Sequence, residues 1–140
     1  MQPIDLRKVA TYPIRERQNL VHREDLVMPG DPVLPVENQD LDAVIDRIIA
    51  ARRDDRPVIA MMGGHVIKSG LSPLIIDLMR RGVITHVAGN GAVSIHDFEL
   101  ALIGATSEDV PHALEDGSFG MAEETGGLMN QALKAGARDG

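Results

Sequence analysis

Apolar residues follow no sustained period over the first quarter of this 140-residue chain. Lys8 to Ile14 alternates weakly, Asn19 to Met28 mixes charges with Leu and Val, and Pro13, Pro29, Pro32 and Pro35 punctuate the segment. Residues 1–39 therefore read as an extended arm with room for one short strand. Such an arm packs on its own domain or on a partner subunit. From Asp40 the spacing becomes helical. Leu41, Val44, Ile45, Ile48 and Ile49 share a face, with Asp42, Asp46 and Arg47 opposite. Asp40 is placed to cap the first turn, and Arg52-Arg53 suit the negative end of the helix dipole. A helix of about three turns is predicted there.

Arg56-Pro57 ends that helix, and Val58-Ile59-Ala60-Met61-Met62 follows as an unbroken apolar run of strand length. Unbroken apolarity predicts a strand buried on both faces, as in a parallel sheet. Gly63-Gly64 stops it. Ser72-Pro73 is a helix start, with Ser as N-cap and Pro at the first helical position. The helix runs through Leu74, Ile75, Ile76, Leu78 and Met79 to Arg80-Arg81, where Gly82 is the expected terminator. Residues 83–88 form the second predicted strand, stopped by Gly89-Asn90-Gly91. Ser94 is placed to cap a further helix, with Asp97 completing a short capping box. That helix carries Ile95, Phe98, Leu100, Ala101, Leu102 and Ile103, and Gly104 ends it. Thr106-Ser107-Glu108-Asp109 opens a short helix to about Glu115. A loop at 117–120 and a helix at 122–134, despite Gly126-Gly127, complete the pattern.

This order, α-β-α-β-α-α-α, predicts an α/β fold with a Rossmann-like parallel sheet and helices on both faces. Two strands are too few for a stable layer, because small sheets need more strands or covering partners. Residues 40–140 thus read as the first half of a nucleotide-binding domain, completed by further chain or by another subunit.

A strand–helix–strand unit in one parallel sheet crosses over right-handed, so both strands point the same way. Their C-terminal ends then lie side by side, about 4.8 Å apart. The loops beginning at Gly63 and Gly89 are therefore expected to meet, at the edge where open α/β sheets bind ligands. Gly63, Gly64, Gly89 and Gly91 permit close backbone approach. The helices near Ser72 and Ser94 aim free N–H groups at that edge. His65, Lys68, Ser69, Asn90, Ser94, His96 and Asp97 gather around it. Plain capping and turn chemistry explains each Ser or Gly taken singly; the two loops together point to a small-molecule site. Gly89-x-Gly91-x-x-Ser94 approximates the dinucleotide fingerprint but lacks its third Gly.

Composition narrows the function classes. A net charge of −7 argues against a nucleic-acid partner but leaves an anionic cofactor open, since backbone amides bind phosphate without a basic patch. The chain has no Cys, which removes disulfides, thiolate nucleophiles and Cys-based zinc sites and fits a cytoplasmic protein. Two Phe, one Tyr and no Trp leave the core to Ile, Leu, Val, Met and Ala. The first ten residues include Asp5, Arg7 and Lys8 and no apolar run, so they do not read as a signal peptide. No stretch has the roughly 20 apolar residues that span a bilayer.

The segment from Gly64-His65-Val66-Ile67-Lys68-Ser69-Gly70 through Arg80-Arg81-Gly82, followed by Val87-Ala88-Gly89-Asn90-Gly91-Ala92 and Ile95-His96-Asp97-Phe98-Glu99, resembles the deoxyhypusine synthase family. The continuation Gly104-Ala105-Thr106-Ser107-Glu108-Asp109-Val110 and Gly117 to Gly126 resembles its bacterial deoxyhypusine-synthase-like branch. The likeness covers residues 40–138 and is most specific over 63–110. It implies a Rossmann-like NAD-binding fold and a homo-oligomer, a tetramer with sites at a dimer interface. It also implies an NAD-dependent aminoalkyl transferase acting on a polyamine or related amine. By position, Ser69-Gly70 matches the family's Ser-Gly at NAD, His65 the polar residue before it, Asn90-Gly91-Ala92 the small-residue loop at the cofactor, and Asp97 an acidic position after that loop. The founding enzymes carry two acidic residues just before that position, where this chain has Ile95-His96. The family's catalytic lysine belongs to a C-terminal region beyond the likeness, and Lys8, Lys68 and Lys134 do not match its motif. Two other readings stay open: a non-catalytic nucleotide- or metabolite-binding module, and a metal-assisted hydrolase using His65 and His96.

Overall fold

A computed structural model describes Asp5 and residues 8–139. The start of the expected arm, residues 1–4, 6 and 7, lies outside the described residues, as does Gly140. The chain is mixed α/β and divides into two compact units, one formed by Met1–His22 with Phe98–Gly140 and one by Arg23–Asp97. The arm expected over 1–39 is thus shared between the two.

The unit Arg23–Asp97 carries the parallel pair. Helix α1 (Gln39–Arg53) is capped by Asn38, whose side chain accepts from the Asp40 and Leu41 N–H groups. The cap is therefore Asn38 rather than Asp40; Asp40 and Asp42 instead supply first-turn negative charge. Strand β2 (Ile59–Met62) pairs in parallel with β3 (His86–Gly89), in the register Ile59 to His86 and Met62 to Gly89. Between them lie α2 (Gly64–Lys68) and α3 (Ser72–Arg80). The second strand is shorter than predicted, because Val83 and Ile84 donate backbone hydrogen bonds back to Leu78 and close the turn after α3. Gly82 ends α3 at φ +69°, as its sequence position predicts.

Residues 64–68, read as loop, form α2. Ser72 is the first residue of α3, and Leu71 occupies the cap position without a side-chain cap. Helix α4 (Gly91–Ile103) begins at Gly91, and Ser94 Oγ donates back to the Gly91 carbonyl, 2.9 Å away, instead of capping. A larger correction concerns burial. β2 was expected to be covered on both faces, yet Ile59 is 56% exposed and Met61 83%. The apolar run is strand-forming without being enclosed within this chain.

In the other unit, the described part of the arm joins the chain's end. Strand β1 (Asn19–His22) pairs antiparallel with β4 (Ala105–Glu108), matching Asn19 to Glu108 and Val21 to Thr106. The one strand that the arm had room for is thus present. Residues 106–109, by contrast, were expected to open a helix. Thr106 and Ser107 are good capping residues locally, but the partner strand claims them, and Ser107 is held at φ +63°. Helix α5 (Val110–Asp116) starts after Asp109, whose carboxylate accepts from the His112 N–H. Helix α6 (Glu123–Asp139) is tied to the arm by a bridge between Tyr12 and Ala122 and by the Ile14 N–H donating to Glu124 Oε2 at 2.7 Å. Ile14, Ala105, Ala113 and Ala122 are the buried apolar residues among those described in this unit. No helix among the described residues is long and apolar enough to cross a membrane.

Candidate functional site

The register of β2 on β3 places Met62 beside Gly89, so the chain leaves both strands at neighbouring points. Gly63 follows the first strand and Asn90 the second, and a Cβ on Gly63 would lie 3.9 Å from Asn90 Nδ2. Gly64 is buried at the start of α2. A Cβ there would come within 2.9 Å of both Ala92 Cβ and His96 Cδ2, so only glycine lets α2 lie against α4. Gly91 differs, because nothing stands within 4 Å of the space its Cβ would take. The structure thus gathers Gly63, Gly64, Asn90, Gly91 and Ala92 at one end of the parallel pair. Helix α4 points its N-terminus there, and its first amides are those free of intrahelical partners.

The remaining residues singled out from sequence lie further off. His65 is exposed on α2. Ser69 terminates α2, one short helix away from Gly63, and Gly70 has φ +77°. The Cα face of Gly70 is pressed on the Asp25 carbonyl, and its own carbonyl accepts from Val27 N–H at 2.9 Å. Its glycine requirement is met by its own chain. Asp97 is exposed on α4, about 9 Å along the axis from Gly91 at 1.5 Å per residue. His96 packs on Gly64, and among the described residues no three His, Cys, Asp or Glu side chains are grouped to hold a metal ion.

The chain has been compared with known protein families, with curated proteins and with solved structures. It matches none of them.

A second concentration of chemistry, absent from the sequence reading, occupies the unit built on β1 and β4. A cleft of about 310 Å³ is lined by Tyr12, Arg17, Glu108, His112, Asp116 and Ser118, among others. Behind it, Arg17 donates from Nη1 and Nη2 to the two oxygens of Glu99 at 2.8 and 2.7 Å. Thr106 and Thr125 hydroxyls donate to the same carboxylate at 2.6 and 2.8 Å. Burial alone would raise the Glu99 carboxyl; the hydrogen bonds from Arg17, Thr106 and Thr125 outweigh it and hold it below the ordinary range. Burial likewise opposes the charge on Arg17, and Glu99 more than restores it. One sequence signal could have found Glu99. It is a lone carboxylate inside the apolar run Phe98 to Ile103. Arg17 carried no such signal.

Tyr12 donates to Glu108 Oε1 at 2.8 Å. Burial, followed by that hydrogen bond and the Glu108 charge, pushes its hydroxyl up to about 12. At neutral pH it is therefore a hydrogen-bond donor and not a base. Tyr12 is the sole Tyr and there is no Trp, so the near-ultraviolet tyrosinate band reports this group directly. The titration midpoint is expected near 12 in the folded protein, against about 10 for a free tyrosine, and Glu108→Gln should lower it. Because the folded state holds the proton more tightly, stability should fall as pH rises from the unfolded value through the folded one. A midpoint at the free value would contradict the Tyr12–Glu108 geometry.

Proposed function

We propose that the unit Arg23–Asp97 carries the cofactor side of an NAD-dependent aminoalkyl transferase of the deoxyhypusine-synthase type. Its substrate would be a polyamine or related amine, its setting the cytoplasm, and its sheet a Rossmann-like one continued from β2 and β3. The observation that carries the reading is the convergence of Gly63, Asn90 and Gly91 at the C-terminal ends of two parallel strands, in register from Ile59 to Met62. The residues there fit a dinucleotide phosphate in one respect. Gly91 opens the first turn of α4 onto unfilled space, so an anion can approach its amides and those of Ala92. Gly64 does not serve this purpose, since its bare face is filled by Ala92 and His96.

In the proposed roles, Gly91 and Ala92 amides bind phosphate, and Gly63 and Asn90 shape the wall beside it. When bound, NAD would accept a hydride from the amine-bearing carbon, leaving an imine open to a nucleophile. Asn90 offers both a donor and an acceptor from its amide for orienting a polar group.

Millimolar NAD should raise the melting temperature of the protein, by mass action on the folded state. Gly91→Ala puts a Cβ into the open space without meeting a neighbour, so it should weaken that rise and leave the ligand-free melting temperature no lower. Spermidine-dependent NADH formation separates transferase from mere binding. Absence of any NAD-dependent shift in the wild type would sink the cofactor reading. A non-catalytic nucleotide- or metabolite-binding module is the second reading. It is favoured by His96, which stands where the resemblance leads one to expect a carboxylate and packs against Gly64. A shift with NAD but no NADH from spermidine would select it.

A further inference from the structure

Helix α1 has an apolar stripe that no described residue covers. Leu41 is 46% exposed, Val44 52%, Ile45 45% and Ile49 42%, with Ile48 half-buried between them. No residue of this 15-residue helix is buried. Amphipathic helices owe their stability to burying such a face, since isolated ones of this length are marginal in water. The pattern is fully formed and stays open to solvent among the described residues.

The charges of α1 indicate what that partner is. Its first turn is acidic, with Asp40 and Asp42, and its last turn basic, with Arg52 and Arg53. Asp42 and Arg53 lie about three turns apart on nearly the same line along the helix, on one flank of the stripe. Neither has an ion-pair partner among the described residues. Arg52, by contrast, is tied back to the Gly82 and Arg56 carbonyls at 2.8 and 2.7 Å. Packed parallel, two copies of α1 would set acid on acid and base on base. Packed antiparallel about a twofold axis, they set Asp42 against the partner's Arg53 twice over, and Ile45 against the partner's Ile49. A twofold contact needs one self-complementary surface, and α1 has one.

We propose that α1 is a self-association seam, at which two copies of this chain pack antiparallel through Leu41, Val44, Ile45, Ile48 and Ile49 with reciprocal Asp42–Arg53 ion pairs. The inference is independent of any cofactor. It predicts a reversible dimer, whose pairing is read by charge and whose affinity comes from the stripe.

Sedimentation equilibrium on the full chain tests it. The wild type should show a concentration-dependent dimer. Ile45→Asp, at an exposed position, should leave the far-ultraviolet helix signal intact and abolish dimerisation. Asp42→Arg and Arg53→Asp should each weaken it at least tenfold by placing like charges opposite one another. The deciding arm mixes those two single variants in equal amounts. Their heterodimer carries two Arg–Asp pairs, so association should recover to near the wild-type constant. A wild type that stays monomeric at every concentration would overturn the proposal. So would a dimer indifferent to Ile45→Asp and both charge changes, or a mixture no tighter than its components; either would assign the seam to another surface.

Discussion

Glu99→Ala should lower the stability of the protein by about 3–5 kcal/mol, the cost of stripping one partner from a buried ion pair. Glu99 is 2% exposed and Arg17 6%, and the pair is bidentate. The substitution leaves a largely buried guanidinium without its carboxylate, and it removes the acceptor that the Thr106 and Thr125 hydroxyls use. Asn19 Oδ1, 2.8 Å from Arg17 Nε, would be the principal remaining anchor of Arg17. The pair is worth far less than this number suggests, because both charges were desolvated to make it. Glu99→Leu combined with Arg17→Met should therefore recover much of the loss, and the shortfall from additivity measures the coupling. The sign of the pH dependence follows from the lowered Glu99 carboxyl. Its contribution is present above the unfolded carboxylate range and is lost as pH falls through the lower folded value. Urea midpoints of wild type and Glu99→Gln should accordingly converge on acidification. A Glu99→Ala midpoint within experimental error of wild type at neutral pH would show the network to be absent in solution.

Gly70→Ala should cost about 2–5 kcal/mol, adding the left-handed penalty of about 1–2 kcal/mol to an overpacking term of about 1–3 kcal/mol. The residue sits at φ +77°, and its missing Cβ points onto the Asp25 carbonyl. The strand of chain that would have to yield is held, because the Val27 N–H donates to the Gly70 carbonyl. Gly82→Ala is the matched control. It has φ +69° with nothing near its Cβ, so it should show only the backbone penalty of about 1–2 kcal/mol. Equal losses at the two positions would remove the close approach to Asp25 from the account. The Ser69-Gly70 pair attracted attention as a ligand contact; its glycine is explained by packing within the chain, whatever role Ser69 has.

Elements with strong local patterns were legible. The α1 stripe, the Pro73 helix start, Gly82 as terminator and the apolar run at β2 each follow from residues a few positions apart, and each is present. The meeting of Gly63 with Asn90 was legible too, since parallel strands joined by one crossover have few ways to arrange their ends. Strand β4 was not. Thr106-Ser107-Glu108-Asp109 has the chemistry of a helix start, and only pairing with Asn19–His22, far away in sequence, makes it a strand.

By itself, then, the sequence determined the helical and extended periods of the chain and the glycine punctuation at two strand ends that lie side by side. These are local properties, because periodicity and backbone sterics act over a turn or a pair of strands. Only the tertiary structure decided that Arg17 finds Glu99, that burial and Glu108 together hold Tyr12 protonated, and that the Ile59–Met62 strand stays open to solvent. Ion pairing, desolvation and burial depend on which distant segments come together, and a charge or an apolar run has the same local appearance whether its partner lies in the chain or outside it.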